Sequence, residues 1–473
     1  MTATDLTSAE QPGAPPGTSE VYRPGARFRT YKLTYVLAVA GLASVWGGIA
    51  GVLLPFQVQD LEVVDVFGPA AQVDLQQLTS LRADVAAGTV VASPEQAARL
   101  DLLAEYEAGR AANLGIITAL AITMSMFMAP LAGALSDRTR SRWGRRAPWI
   151  VAGVVLGAAL LVAARYSPTI GVLLAIYTLA QVALEIAPGP LHATVPDRVP
   201  ASRIGRMSGL AGFGSLLGVT VGTVLAGYLF ASIGLDAYFP FVLAALVLPM
   251  IFVAVARDRP SHGLEVPATT FRKILVSFTI AVRDRDFRWL LIAKALMWFG
   301  YGIATSFAIY MLQSYIQPAL SAEEVARTMP LISLVAMPAT VLSMFVSGWW
   351  SDRIGRRKPI VVGASLAFAA SLTLPLLVPT LPAMFVQVII GGAAIGAFIT
   401  VDQAYFIDLL PDRAAAARDL GVSSFGQSIG QAAGPATAGV IVGATGGYQL
   451  VWVAAIVAVV LAAVAVLPIR RAG

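Results

Sequence analysis

The stretch GALSDR at residues 133–138 recurs as GWWSDR at residues 348–353, and this repeat decides the fold. The two copies lie 215 residues apart, and the tripeptide PDR at 196–198 recurs at 411–413 with the same offset. Four extra residues, 139–142, separate the first copy from its following Gly-Arg-Arg. Two matches at one offset indicate an internal duplication, so we expect two related halves.

The chain is far more apolar than a soluble protein of its 473 residues would be. Hydrophobic residues make up 57% of it, charged residues only 13%, and the mean hydropathy is +0.75. Apolar stretches of about 20 residues recur, and each could cross a hydrocarbon layer as a helix. We therefore predict an all-α polytopic membrane protein with twelve transmembrane helices in two pseudo-symmetric six-helix bundles, at 33–57, 111–135, 147–165, 169–194, 206–233, 239–256, 289–315, 329–350, 359–379, 382–408, 421–444 and 448–468.

These spans divide the chain into four parts. Residues 1–32 are rich in Pro, Gly, Ser and Thr and lack an apolar core, which is typical of a disordered cytoplasmic tail and not of a signal peptide. The predicted bundles cover 33–256 and 289–473, joined by a basic cytoplasmic linker at 257–288. A long outer loop is expected at 58–110, within which Pro94 to Ala112 could form a short amphipathic helix.

Basic residues between the spans set the orientation, because cationic loops resist translocation. With the N-terminus inside, 27 of the 33 Lys and Arg residues lie on the cytoplasmic side, five lie outside, and Lys294 lies within a span. Both termini are therefore predicted to be cytoplasmic. Arg outnumbers Lys by 29 to 4, which favours a bacterial source and hence the inner membrane of a bacterial cell.

Several kinds of chemistry are disfavoured by the composition. The chain has no Cys and only two His, so we predict no metal site and no cofactor. The basic residues that give the net charge of +6 lie between apolar spans, so the charge does not indicate binding to nucleic acid. A membrane-embedded enzyme or receptor would need a nucleophile and base pair or a soluble ligand-binding module, and neither is recognisable. An ATP-binding G-x-x-x-x-G-K-[ST] motif is also lacking.

The outer loop carries nine acidic residues against three Arg. It could form an acidic vestibule that concentrates cations, but a solvated surface is the favoured interpretation.

The repeated loops combine Gly, Asp and Arg at fixed places. Glycine would let two helices approach closely at the cytoplasmic rim, and the Asp and Arg side chains would form charge-assisted bonds across it. The alternative is that these charges serve topology alone. We predict gating residues here and after spans 4 and 10: Gly133, Asp137, Arg138, Arg145, Arg146, Asp197, Arg198, Gly348, Asp352, Arg353, Arg356, Arg357, Asp408 and Asp412.

These loops resemble those of the major facilitator superfamily, which carry a G-x-x-x-D-R-x-G-R-R pattern after helices 2 and 8. The first copy, residues 133–149, ends in S-R-W-G-R-R-A-P-W and looks like the sucrose transporters and the glycoside-pentoside-hexuronide symporters. The resemblance implies alternating access between two bundles and cation-coupled movement of a sugar or glycoside. Span 2 has no carboxylate between Ala111 and Ser136, which argues against a sodium site of the kind found in some of these symporters.

Charged residues within spans are functional candidates because they are costly in lipid. Glu185 lies in span 4 before a Pro188-Gly189-Pro190 break, and Asp402 lies in the equivalent span 10. A low dielectric favours the protonated form of a carboxyl, so we predict that Glu185 and Asp402 couple transport to protons. Alternatively, Glu185 forms a structural ion pair, and Asp402 binds substrate or acts in gating.

Other polar and aromatic residues within spans are candidates for the substrate site. Lys294 could contact substrate or pair with Glu185 or Asp402, although snorkelling to the interface is slightly favoured. His192 could relay protons, but a solvated interfacial His is the favoured reading. Trp298 and Tyr301 could stack on a sugar ring. The predicted substrate-binding residues are Gln181, Trp298, Tyr301, Gln403, Gln427, Gln431 and Lys294.

Together these features predict a secondary active transporter that is not an enzyme. We expect proton-coupled symport of a sugar, glycoside or similar small organic solute by a monomer in the lipid bilayer. The alternative is efflux of drugs or metabolites by proton antiport.

Overall fold

A computed structural model describes residues 25–69, 73–200, 203–256, 260–261, 284–409 and 416–470. Within these residues the chain forms helices and no strand. Twelve long helical segments follow in order, and we number them α1 to α12: Ala26–Phe67, Pro94–Arg138, Ala147–Arg165, Ile170–Arg198, Ile204–Ile233, Tyr238–Val255, Arg285–Ser314, Ala322–Ile354, Lys358–Leu377, Leu381–Asp408, Ala416–Thr445 and Gln449–Val466.

Most of these helices are long and apolar enough to cross a membrane. Ten such stretches occur in the described residues. One of them, Arg206–Val255, contains most of α5, the short turn after it and all of α6. Helix α11 is not among the ten, but it packs against α2 and α7 inside the bundle. The prediction of an all-α polytopic membrane protein is confirmed. Parts of the predicted tail, 1–24, and linker, 257–259 and 262–283, lie outside the described residues.

Side chains at the helix starts explain several boundaries. Ser93 accepts a hydrogen bond from the Gln96 amide, and the Gln96 side chain accepts one from the Ser93 amide, which forms a capping box before Pro94. Ser321 and Glu324 repeat this arrangement at the start of α8. Because each box satisfies amides that have no partner within the helix, it fixes where that helix begins.

The region predicted as a long outer loop, 58–110, is mostly helical. Helix α1 continues to Phe67, a short helix spans Leu75–Ala86, and α2 begins at Pro94. The helix predicted to begin at Pro94 and end near Ala112 instead runs unbroken to Arg138. We call Leu75–Ala86 the hairpin helix, its side of the bundle the hairpin end, and the opposite side the termini end. A small apolar core made by Leu78, Leu103 and Tyr106 packs the hairpin helix against the first part of α2.

The two halves repeat one packing arrangement. In the first half, α5 lies against α1 through glycines spaced four apart, and in the second half α11 lies against α7 in the same way. A Cβ added at Gly218 would come within 2.3 Å of the Ala40 carbonyl oxygen, and one at Gly430 within 2.3 Å of the Ala295 oxygen. Small residues at this spacing allow helix backbones to approach closely. The glycines concerned are Gly214, Gly218, Gly222, Gly426, Gly430 and Gly434.

The halves meet through two helix pairs, α2 with α11 and α5 with α8. Toward the hairpin end, Gly115 lies against the Pro435 carbonyl and Gly227 against the Ala326 carbonyl. Toward the termini end, by contrast, a Cβ at Gly133, Gly209 or Gly212 would have no described heavy atom within 4 Å. The close contacts between the halves are therefore concentrated at the hairpin end.

We predict that Gly218→Ala destabilises the protein, because the added methyl group must displace the α1 backbone. Overpacking of this kind costs about 1–3 kcal/mol, so the detergent-solubilised variant should melt at a lower temperature than the wild type. Gly212→Ala, on the same helix but facing open space, is the matched control and should melt no lower than the wild type. Equal melting temperatures for the two variants would contradict the packing argument.

Candidate functional site

Helix α4 is interrupted in the middle of its span. Its first part, Ile170–Leu184, ends at Glu185, and its second part begins at Pro188 after a short turn. Pro188 and Pro190 have no amide proton, so neither can donate the helical bond to the residue four before it. The break predicted from the Pro-Gly-Pro sequence is therefore present, and it places Glu185 at the end of a helix.

Helix α1 is irregular where it passes this break. Residues Trp46–Leu53 form a π-helix within the span. Such local widening is rare in proteins, and where it occurs it is often at a functional site. Gly47 and Gly48 let this segment lie directly against the Val219 carbonyl of α5 and the Phe241 ring of α6. Two departures from regular helix geometry thus occur in α1 and α4.

Both irregular segments border one cavity of about 150 Å³, which we call the Glu185 cavity. Trp46, Glu185, His192 and Ser215 line it together with apolar residues of α1 and α4. Trp46 of α1 and Glu185 of α4 thus lie on the wall of the same cavity. Trp46, His192 and Ser215 are exposed and Glu185 is half-buried, so these polar groups face open space. All of the lining residues belong to the first half.

Glu185 has no charged partner among the described residues. Among the residues that the structure describes, no Lys or Arg forms an ion pair with its carboxyl. His192 is exposed, as expected of a solvated residue, but its Nδ1 also bonds the Tyr35 hydroxyl at 2.8 Å. The structural ion pair considered for Glu185 therefore does not form within the described chain.

Asp402 has the opposite environment in the second half. Its Oδ2 lies 3.0 Å from Lys294 Nζ, and both side chains are buried. Lys294 also donates to Ser423 Oγ at 2.9 Å and lies over the Phe406 ring. The expectation that Lys294 snorkels to the interface is wrong, because this partner set holds the ammonium group inside the bundle. The other carboxylate oxygen, Asp402 Oδ1, has no hydrogen-bond partner among the described residues.

The remaining predicted substrate-binding residues are scattered. Gln181 is buried and donates to the Tyr177 hydroxyl, and Trp298 packs edge to face with Tyr301. Tyr301 in turn contacts Phe368 of α9, so this pair is tied to packing within the second half. None of these side chains, nor those of Gln403, Gln427 and Gln431, lines the Glu185 cavity. The aromatic residue that does line it is Trp46, which sequence reasoning did not select.

At the termini end, the repeated loops form one ion-pair cluster in each half. Arg146 lies 2.6 Å from Asp137 and 3.1 Å from Asp197, and Arg145 lies 2.6 Å from Asp197. These bonds tie the end of α2 to the start of α3 and the end of α4. Arg198 is buried nearby and donates to the Ala256 carbonyl.

The second half repeats this cluster around Arg357, which lies 2.7 Å from Asp352 and 3.1 Å from Asp408. Partial burial opposes the charged guanidinium, but the bonds to the two carboxylates outweigh it and raise the pKa of Arg357. Arg353 lies over the Trp349 ring, and Arg356 is exposed. Asp412 lies outside the described residues.

These clusters correct the predicted latch in two respects. The ion pairs that Arg145, Arg146 and Arg357 form with Asp137, Asp197, Asp352 and Asp408 each lie within one half. A Cβ added at Gly133 would meet no described heavy atom within 4 Å. One added at Gly348 would lie 3.3 Å from the Thr400 methyl group of α10. The loops therefore brace helix ends inside each bundle in the arrangement seen here.

Hydrogen bonds between described residues of the two halves occur at the hairpin end, around Arg110. Its guanidinium donates to Gln313 Oε1 at 2.9 Å and to Ser314 Oγ at 2.6 Å, and it lies between the Tyr106 and Tyr310 rings. Tyr310 also donates to the Pro55 carbonyl of α1 at 2.8 Å. From the sequence, Arg110 counts only among the basic residues of the outer side, because its partners lie about 200 residues further along the chain.

The acidic residues of this region are only partly solvated. Glu62 is buried and accepts a hydrogen bond from Asn113, and Glu107 is buried and pairs with Arg82 at 2.5 Å. The favoured interpretation of a solvated acidic surface is therefore wrong for these two side chains.

Comparison with known proteins identifies this architecture. A family model described as MFS/sugar transport protein matches residues 108–470, which is most of the chain. The chain belongs to the major facilitator superfamily. It is therefore a membrane transporter of small solutes and not an enzyme. No curated protein sequence matches it.

Solved structures of other superfamily members share the fold. A bacterial homologue of the human lysosomal transporter Spinster, in an inward-facing and occupied conformation, is 15% identical, with a TM-score of 0.64 over 94% of this chain and 97% of that one. The same homologue in an unoccupied inward-facing conformation gives a TM-score of 0.56. A mutant of the nucleoside transporter NupG is 16% identical, with a TM-score of 0.65 over 93% of this chain and 100% of that one.

We predict that Lys294→Met destabilises this superfamily member strongly, because it leaves Asp402 buried without its cation. Removing one partner of a buried ion pair costs about 3–5 kcal/mol, which should appear as a large fall in melting temperature in detergent. The double variant Lys294→Met, Asp402→Leu should recover most of the loss. Arg327→Met breaks the exposed pair with Glu323 and is the control, expected to change stability by about 1 kcal/mol or less. A single variant as stable as the control would contradict the pairing.

Proposed function

We propose that this transporter is a proton-coupled symporter of a sugar, glycoside or similar small organic solute, and that Glu185 carries the coupled proton. The observation that carries the proposal is a carboxyl group on the wall of an open cavity inside the bundle that has no counter-charge among the described residues. A carboxyl in this position can be neutral or charged without breaking an ion pair. Proton binding at Glu185 can therefore follow the access of water to the cavity.

The distribution of basic residues supports an orientation with the termini end in the cytoplasm of a bacterial cell. The ion-pair clusters around Arg146 and Arg357 lie at that end, as the positive-inside rule requires. The hairpin end then faces outward. Because the contacts between the halves are concentrated there, the arrangement corresponds to an inward-facing state of an alternating-access cycle.

The coupling step follows from the groups around Glu185. In the outward-facing state, a proton neutralises the carboxyl, which lowers the cost of enclosing it when the transporter closes over its solute. In the inward-facing state, water at the termini end reaches the cavity, and the proton leaves. Trp46 lines the same cavity as Glu185, and its indole N–H can donate a hydrogen bond to the charged carboxylate after release.

The lining of the Glu185 cavity supports a polyhydroxylated solute. A carboxylate accepts hydrogen bonds from hydroxyl groups, His192 and Ser215 can donate or accept them, and the exposed Trp46 ring offers an apolar face to a sugar ring. Trp46 therefore replaces Trp298 and Tyr301 as the proposed stacking residue. The description of the matching family, which includes sugar transport, favours the same class of solute.

The role proposed for Asp402 is narrower than that of Glu185. Its partner Lys294 compensates the charge, so proton binding at Asp402 would have to disrupt a buried ion pair. We therefore assign the coupled proton to Glu185 and a structural role in the second bundle to Lys294 and Asp402.

The test uses purified protein in liposomes with an imposed proton gradient, acidic outside, and radiolabelled sucrose or maltose. The wild type should accumulate a sugar above its external concentration, and a protonophore should abolish accumulation. Glu185→Gln should lose accumulation but retain counterflow exchange, because the amide cannot cycle a proton yet still forms hydrogen bonds.

The matched control is Glu95→Gln, which changes an exposed carboxyl at the hairpin end and should transport as the wild type does. Unchanged accumulation by Glu185→Gln would remove Glu185 from the mechanism. No uptake of either sugar, together with proton release driven by added drugs, would contradict symport and favour efflux.

A further inference from the structure

A second cavity lies at the hairpin end, apart from the Glu185 cavity. Its volume is about 530 Å³, within the range of about 300–1,000 Å³ that is typical of small-molecule sites. Arg82 and Glu107 line it from the first half, and Ser314, Gln317 and Tyr448 line it from the second. We call it the hairpin-end cavity. Because both halves contribute, its shape depends on their contact at this end.

Two buried polar groups on the wall of this cavity lack partners. The Tyr448 hydroxyl and Glu107 Oε1 have no hydrogen-bond partner among the described residues, and each residue is only 3% exposed. Glu107 uses its other oxygen for Arg82, and its Oε1 is 3.9 Å from Arg110, beyond hydrogen-bond distance. Buried polar groups are normally hydrogen-bonded, so both groups offer unused binding capacity to a solute.

The charges around the cavity decide the class of solute. Arg82 and Glu107 are the charged residues of the lining and pair with each other, so the lining itself carries no net charge. The buried Arg110 guanidinium lies 3.9 Å from Glu107. The Tyr448 hydroxyl can donate or accept, Glu107 Oε1 accepts, and the Gln317 and Gln449 amides do both. This mixture suits several hydroxyl groups on one neutral molecule.

We propose that the hairpin-end cavity binds a neutral, hydroxyl-rich solute between the two halves, as a site separate from the Glu185 cavity. A solute held there contacts Glu107 on one half and Tyr448 on the other, so it stabilises the closed hairpin end. Solute on this side of the membrane then slows the return to the state in which that end is open. This regulatory site does not require proton coupling at Glu185.

Cysteine labelling can test the site, because the native chain contains no Cys. Gly447→Cys introduces one thiol into the lining at a position where an added Cβ meets no atom within 4 Å. Glucose, sucrose and maltose are the neutral probes, and sodium glucuronate is the charged comparison. At least one neutral sugar should slow labelling by a maleimide, and glucuronate should not. Val91→Cys, in the exposed loop before α2, is the control that no probe should protect.

Adding Tyr448→Phe to Gly447→Cys should raise the sugar concentration for half-protection about three- to tenfold, the effect of one lost hydrogen bond. Tyr166→Phe, an exposed tyrosine elsewhere at the hairpin end, should leave it unchanged. Protection should persist in Glu185→Gln, so failure of the proposed coupling would not remove it.

The proposal is overturned if no neutral sugar protects the cysteine at 447, if protection is insensitive to Tyr448→Phe, or if that cysteine stays unlabelled without sugar. Loss of protection in Glu185→Gln would also overturn it, because protection would then follow from binding at the Glu185 cavity.

Discussion

Hydrocarbon cannot hydrogen-bond to the backbone, and every other feature of this transporter depends on that constraint. It forces the spans into helices, and it allows irregular backbone only where protein or a water-filled cavity surrounds it. The π-helix at Trp46–Leu53 and the break after Glu185 are such exceptions, and both border the same cavity. Convergence of two costly irregularities on one cavity is a stronger indication of function than either irregularity alone.

Lipid also provides no hydrophobic driving force for association between helices, and this explains how each half is held together. Glycines spaced four apart let α5 approach α1 and α11 approach α7, so each bundle is held by close packing. Between the bundles the contact is more polar, and it is concentrated around the buried guanidinium of Arg110. Polar bonds can be exchanged for water when the halves separate, whereas interlocked backbones inside a bundle cannot. This division suits two rigid bodies that move against each other.

Sequence reasoning succeeded where the signal is local and failed where it depends on distant partners. The number of helices, the duplication and the break at Pro188 follow from apolar length, repeat spacing and proline chemistry. The partners of Lys294 and Arg110 lie more than a hundred residues away, so neither the buried ion pair nor the contact between the halves could be read from the chain. The helix start at Pro94 was predicted, but its unbroken continuation to Arg138 and the hairpin helix Leu75–Ala86 were not.

The two halves differ in whether the carboxyl group inside the bundle has a basic partner among the described residues, and the proposed proton coupling requires this difference. Glu185 and Asp402 occupy equivalent helices, but Lys294 compensates only Asp402. A compensated carboxylate stays charged because protonation would leave a buried ammonium group unpaired, and this keeps the second bundle electrostatically constant through the cycle. An uncompensated carboxyl beside a cavity can gain or lose a proton without breaking an ion pair, and the proposal is that the access of water selects between these states. The proposed proton coupling therefore rests on the asymmetry between the halves, whereas alternating access rests on their symmetry.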